Sequence, residues 1–123
     1  MRVNINMKVL FSVAFLLSLL VSLQLSLSPV HTSEGMLIND KLAHYLGYFV
    51  MVMMLDFAYS AGRYLIFKIG VIVGYSIIIE VAQNFIPSRE MSIHDLLANG
   101  LGVLSFILLL PYIQKFQFYR RLI

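Results

Sequence analysis

Four stretches of this chain are each about twenty residues long and poor in charge, and that limits the fold more than any motif does. A helix needs about 20 predominantly apolar residues to cross the hydrocarbon core of a bilayer. Val9–Ser28 is uncharged throughout. Lys41–Tyr59 carries His44 near its start and Asp56 near its end. Tyr64–Phe85 contains Lys68 and Glu80, and Ile93–Tyr112 has Asp95 and Asn99 in its first turns. No alternation of apolar and polar residues suggests barrel strands, and no internal repeat is evident. The expected fold class is all-α: an integral membrane bundle of four transmembrane helices, in a chain of 123 residues that leaves no room for a second domain.

Composition agrees. Apolar residues make up 60% of the chain and charged residues 12%, against about 45–50% and about 25% in soluble domains. A soluble domain this small has too much surface for its volume to hide that apolar content. The chain has no cysteine, which excludes disulfides and thiol chemistry. A net charge of +3 without a basic run leaves no footprint for nucleic acid. The first stretch could be read as a cleaved signal peptide ending at Ser26-Leu27-Ser28. Its length exceeds the usual apolar core of such a peptide, so a retained span is expected.

The basic residues orient the bundle. With four spans, the N-terminus, the connection between spans two and three, and the C-terminus share one side. That side holds Arg2, Lys8, Arg63, Lys68, Lys115, Arg120 and Arg121, whereas the other holds Lys41 and Arg89. Positive loops stay cytoplasmic, so both termini are expected inside, in the plasma membrane. Lys68 is expected to snorkel to the cytoplasmic interface, and Asp56 to reach interface water. Glu34, Asp40, Glu80, Glu90 and Asp95 all fall toward the opposite, extracytoplasmic face.

Three spans place polar groups at one depth in that outer half. Asp40, Lys41, His44 and Tyr48 enter on the second, Glu80 and Gln83 leave on the third above Ser76, Arg89 lies in the connection, and Asp95 and Asn99 re-enter on the fourth. Ionisable groups at membrane depth usually face a bundle interior or a wet cavity. One shared polar pocket open to the outside is the economical reading. Blander roles compete with it. Asp40 reads equally as an N-cap, and Ser92-Ile93-His94-Asp95 as a capping box. Asn99 reads as an interhelical hydrogen bonder and His44 as a structural histidine. Glu80, in the apolar run Ile77–Val81, has no capping role and needs His44, Lys41 or Arg89 as partner. Ala43/Gly47, Gly70/Gly74 and Ala98/Gly102 are small-residue pairs that let helices approach closely, with Gly70 and Gly74 serving a second packing side of the third span.

The common catalytic signatures are missing. There is no G-x-S-x-G, no phosphate-binding glycine loop, and no H-E-x-x-H spacing for zinc, so no metal or cofactor is expected. Lys41, Arg89 and two outward-pointing helix N-termini suit an anion.

At these residues the sequence resembles the VanZ-like family of bacterial membrane proteins. The matching segments are Asn39-Asp40-Lys41-Leu42-Ala43-His44-Tyr45, then Glu80-Val81-Ala82-Gln83 with Phe85 and Arg89, then Asp95-Leu96-Leu97-Ala98-Asn99 with Gly100 and Gly102. In words, the pattern is D-K-x-x-H, E-x-x-Q-x-F, an arginine, and D-x-x-x-N-x-x-G. The segments lie in order within residues 39–102. The family's proline-then-glycine loop reads Pro87-Ser88-Arg89 here. The resemblance implies a single VanZ-like domain over residues 1–123 in the cell envelope, and its founding member is associated with resistance to teicoplanin.

Two functions are expected to compete. In the first, the pocket lined by Asp40, Lys41, His44, Glu80, Gln83, Arg89, Asp95 and Asn99 binds a lipid headgroup, a lipid-linked cell-wall precursor or a glycopeptide. In the second, the protein is a membrane-embedded enzyme acting on an envelope lipid or glycan, with His44 as general acid or base and Glu80 orienting it. Ion movement is a weaker third, because the inner half offers only Asp56 and Lys68. Membrane lipids are the expected partners, and the small core enclosed by four short spans leaves room for a homodimer.

Overall fold

The computed structural model describes residues 5–27, 37–87 and 92–122. They form four long helices, α1 (Ile5–Leu27), α2 (Leu37–Ala58), α3 (Leu65–Gln83) and α4 (Ile93–Ile113), followed by a single turn, α5 (Gln117–Arg120). No strand occurs among the described residues, so the all-helical class stands. Three helices are long and apolar enough to cross a membrane: α1 over Asn6–Leu27, α3 and α4. The second is not among them. At 22 residues, and about 33 Å at 1.5 Å per residue, α2 has the length, but Asp40, Lys41, His44 and Asp56 lower its apolar content. The physical reason is its place in the bundle. It packs against α1, α3 and α4, so its polar side chains can meet neighbours instead of lipid. It also begins at Leu37, which puts Asp40 inside the first turn and not at the N-cap.

The core lies where α2, α3 and α4 meet. Tyr48, Met51, Val52, Ile72, Val103, Phe106 and Leu110 are buried there. Near the chain's C-terminal end the core continues through Phe57, Ala61, Tyr119 and Leu122. α1 joins it through Phe11, whose ring meets Phe57 edge-on at 5.1 Å and Phe118 at 5.9 Å. Most of α1 remains outside: Leu10, Leu16, Leu17, Leu20 and Leu25 are exposed, as are Ile66, Phe67 and Ile78 on α3 and Leu101 and Leu108 on α4. An apolar surface this continuous marks contact with a membrane or another apolar phase.

Small residues act at one of the three expected pairs. A Cβ on Gly102 would stand 2.2 Å from the Tyr45 carbonyl oxygen and 3.0 Å from the Phe49 nitrogen. The backbones of α2 and α4 therefore touch at this glycine. Gly70 and Gly74 have nothing within 4 Å of such an atom, and Gly47 likewise faces open space. The expected second packing side of α3 at Gly70/Gly74 is therefore absent among the described residues.

The α2–α3 turn departs most from expectation. Asp56 and Lys68 do not reach water: they are 0% and 1% exposed, and Lys68 Nζ donates to Asp56 Oδ1 at 2.7 Å. The same Oδ1 accepts from the Gly62 nitrogen at 3.0 Å, and Nζ also donates to the Ser60 carbonyl at 3.1 Å. These bonds hold a turn in which Ser60 (φ 43°), Gly62 (φ 76°) and Tyr64 (φ 56°) are all left-handed. That conformation costs non-glycine residues about 1–2 kcal/mol each and persists only where the surroundings impose it. Tyr119, from α5, closes the cluster by donating to Asp56 Oδ2 at 2.7 Å. Tyr119→Phe, which leaves that oxygen without its donor, is expected to lower stability by about 1–2 kcal/mol. It should also speed tryptic cleavage at Lys115, and unchanged cleavage would show that the hydroxyl does not secure α5.

Candidate functional site

The opposite end of the bundle, where α2 and α4 begin and α3 ends, gathers most of the remaining buried polar groups. Lys41 and His44 lie one turn apart on α2, Asp95 and Asn99 one turn apart on α4, and the close approach at Gly102 brings the two pairs face to face. Lys41 Nζ bonds to Asp95 Oδ1 and lies 3.6 Å from Asp40 Oδ2. His44 Nε2 lies 3.8 Å from Asp40 Oδ1 and 3.7 Å from Asp95 Oδ2. On the other side of the ring, His44 Nδ1 is 2.9 Å from Asn99 Oδ1, and Asn99 Nδ2 donates to Ser76 Oγ on α3 at 2.7 Å. One continuous network thus runs from the half-exposed Asp40 to the buried Ser76 across three helices. A turn deeper, Tyr45 donates to Ser105 at 2.6 Å and fastens the same seam.

The start of α4 explains how Asp95 is free for this role. Ser92 is the N-cap, and its Oγ accepts from the Asp95 nitrogen at 3.3 Å. In a complete capping box the third residue would return the bond to the cap nitrogen. Here the Ser92 nitrogen instead donates to Glu80 Oε2 at 3.2 Å. Glu80 takes the capping duty from another helix, and the Asp95 carboxylate turns to Lys41 and His44.

Glu80 and Gln83 make their hydrogen bonds outside this network. Glu80 is buried, with Oε1 lacking a hydrogen-bond partner among the described residues. Its bonded partner is a backbone amide, not His44 or Lys41. The expected His44–Glu80 pair is therefore not formed: both ring nitrogens of His44 face other groups. Gln83 points to α1, where its Nε2 donates to the Ser26 carbonyl at 2.9 Å. With Tyr75 donating to the Leu19 carbonyl at 2.7 Å, it fastens α3 to α1. Arg89 lies outside the described residues.

Beside the network, residues of α1 and α2 line a cavity of about 550 Å³. Its walls are mainly apolar, from Val21 and Leu25 on α1 to Leu46, Val50 and Met51 on α2, and Gly47 leaves it open. Asp40 and His44 form its polar end. Ser18, Ser22 and Ser26 line its α1 side. This serine row, not singled out from sequence, was legible as a spacing of four, which places all three on one helix face.

The VanZ/LLP1 family model matches residues 3–114, which takes in all four long helices and every residue of the polar network. No curated protein and no solved structure matches the chain. The match extends well beyond the segments that carry the D-K-x-x-H and D-x-x-x-N motifs, and the chain belongs to the VanZ/LLP1 family.

Proposed function

We propose that this protein is a four-span plasma-membrane protein that binds the polar headgroup of an amphiphile at its extracytoplasmic face. One observation carries the reading: Asp40 and His44 stand at the end of an apolar cavity of ligand size. Cavities of about 300–1,000 Å³ with few polar groups are typical of small-molecule sites. An acyl or isoprenoid chain would lie along Val21, Leu25, Leu46 and Val50. Its headgroup would meet Lys41 as a cation and Asp40 as an acceptor for hydroxyl or amine protons. A membrane lipid, a lipid-linked cell-wall precursor and an amphiphilic glycopeptide share this chemistry.

In this topology α2 is the fourth span. Its charged residues are matched inside the bundle by Asp95 at one end and Lys68 at the other, which removes the main objection to a span of its composition. Arg63, Lys115, Arg120 and Arg121 lie at the end away from the site, and the positive-inside rule puts that end in the cytoplasm.

Gly47→Phe tests the reading without touching the polar network. Gly47 borders the cavity, and a side chain there meets open space. Native mass spectrometry of detergent-extracted protein should show an amphiphile on the wild-type chain and at least tenfold lower occupancy on Gly47→Phe. Equal lipid complements on the two proteins would sink the proposal.

A further inference from the structure

The seam between α2 and α4 contains a ring nitrogen, His44 Nε2, that faces two carboxylates. Asn99 is oriented by donating Nδ2 to Ser76, so its Oδ1 faces His44 Nδ1 as an acceptor and Nδ1 carries the hydrogen. With the hydrogen on Nδ1, Nε2 carries the lone pair and lies 3.8 Å from Asp40 Oδ1 and 3.7 Å from Asp95 Oδ2. The carboxylates are themselves divided. Asp95 Oδ1 and Asp40 Oδ2 turn to the Lys41 ammonium, while Asp95 Oδ2 and Asp40 Oδ1 turn inward to His44. One ligand atom from each of Asp40, His44 and Asp95 lies within 4.8 Å of those of the other two.

We propose that Asp40 Oδ1, His44 Nε2 and Asp95 Oδ2 bind one divalent transition-metal ion, Zn²⁺ or Mn²⁺. An ion at the centre of these atoms resolves the facing lone pairs. One imidazole with two carboxylates suits first-row divalent ions better than Mg²⁺ or Ca²⁺, which prefer oxygen ligands throughout. Metal-bound atoms at about 2.0–2.2 Å from zinc stand roughly 3.4 Å apart in a tetrahedron. Asp40, whose side chain is 46% exposed, is the ligand free to close that gap, since those of His44 and Asp95 are only 12% and 10% exposed. The outer layer is of the kind metal sites use: the second ring nitrogen is held by an amide carbonyl and the spare carboxylate oxygens by a cation. The sequence hides the site because its ligands come from two helices 51 residues apart, from His44 to Asp95.

Three protein ligands leave at least one position open on such an ion, and Asp40 and His44 also line the cavity. An ion with open positions there gives phosphate oxygens a place to coordinate, with Lys41 beside them. The ion thus deepens the headgroup reading, and rests on it for its purpose: the amphiphile would carry phosphate or pyrophosphate.

The experiment is Zn²⁺ titration of chelator-stripped, tag-free protein in detergent by calorimetry, with Co²⁺ absorption as a report of ligand type. One ion per chain is expected, bound at least tenfold more weakly by His44→Gln, Asp95→Asn and Asp40→Asn. Asp40→Asn keeps the test valid if the buried variants fail to fold, because that side chain is half-exposed. Absence of stoichiometric Zn²⁺ binding, or undiminished binding by Asp40→Asn, overturns the metal site. The two readings fail separately. Lost Zn²⁺ binding with lipid occupancy still sensitive to Gly47→Phe removes the ion and keeps the headgroup site. Intact Zn²⁺ binding with lipid occupancy insensitive to Gly47→Phe keeps the ion and removes its assigned purpose.

Discussion

Asp56→Ala is expected to destabilise the protein by about 3–5 kcal/mol, the range for removing one partner of a buried ion pair. Three donors converge on this fully buried carboxylate: Lys68 Nζ, the Gly62 nitrogen and the Tyr119 hydroxyl. Without it, the Lys68 ammonium, 1% exposed, keeps only the Ser60 carbonyl among its described partners. The left-handed turn loses its tie at Gly62, and α5 loses its anchor. The Tyr119 phenol cannot relieve the loss by ionising. Burial, and then its bond to the Asp56 carboxylate, raise its pKa well above the ordinary tyrosine range, so it remains a donor at neutral pH. Asp56→Asn keeps the shape and loses the charge, and should fall between wild type and Asp56→Ala. Combining Asp56→Leu with Lys68→Met should recover most of the loss, because an apolar pair of similar volume avoids the desolvation of both charges. Unfolding in mixed detergent micelles measures all three. A loss below about 1 kcal/mol for Asp56→Ala would mean that water reaches this end of the bundle and screens the pair.

The burial of that cluster is not legible in the sequence. Asp56 and Lys68 are 12 residues apart on successive helices, and each lies near a helix end. Long side chains near such ends normally snorkel to the interface. Burial of this pair depends on Tyr119, which arrives 51 residues after Lys68 on a turn too short for periodicity to reveal. The opposite end was more legible. Asp40 and His44 at a spacing of four, with Asp95 and Asn99 at the same spacing, mark one face on each of two helices. The two faces meet across the bundle through the Lys41–Asp95 and His44–Asn99 bonds. The sequence could not say which acid serves which helix. At the depth of Glu80 the sequence offers His44, Lys41 and Arg89 alike as partners. The unfilled cap amide of Ser92 takes Glu80 instead, and Asp95 inherits the histidine. Gln83 shares a helix face with Glu80 by its spacing of three, yet it reaches the backbone of α1, a partner no side-chain pattern could announce.

Gly102→Ala is expected to destabilise the bundle by about 2–3 kcal/mol, at the upper part of the range for inserting a group into a packed interior. The atoms in its way are the Tyr45 carbonyl oxygen at 2.2 Å, the Phe49 nitrogen at 3.0 Å and the Tyr45 carbonyl carbon at 3.2 Å, all backbone. Side chains can rotate aside, but here the whole of α2 must retreat from α4, by about 1 Å to restore ordinary contact. The seam it opens carries the Lys41–Asp95, His44–Asn99 and Tyr45–Ser105 bonds. Hydrogen bonds weaken steeply beyond about 3.2 Å, so a retreat of that size would break the His44–Asn99 bond, now 2.9 Å. The variant should lose the polar network and the ligand occupancy that depends on it along with its stability. Gly100→Ala is the matched control, two residues away on the same helix with nothing within 4 Å of the added atom. It should be neutral or stabilising by up to about 1 kcal/mol through helix propensity. Equal unfolding midpoints and equal amphiphile occupancy for the two variants would show that the touch at Gly102 does not set the spacing of α2 and α4. The network would then have to be held from its own bonds, chiefly that of Lys41 to Asp95.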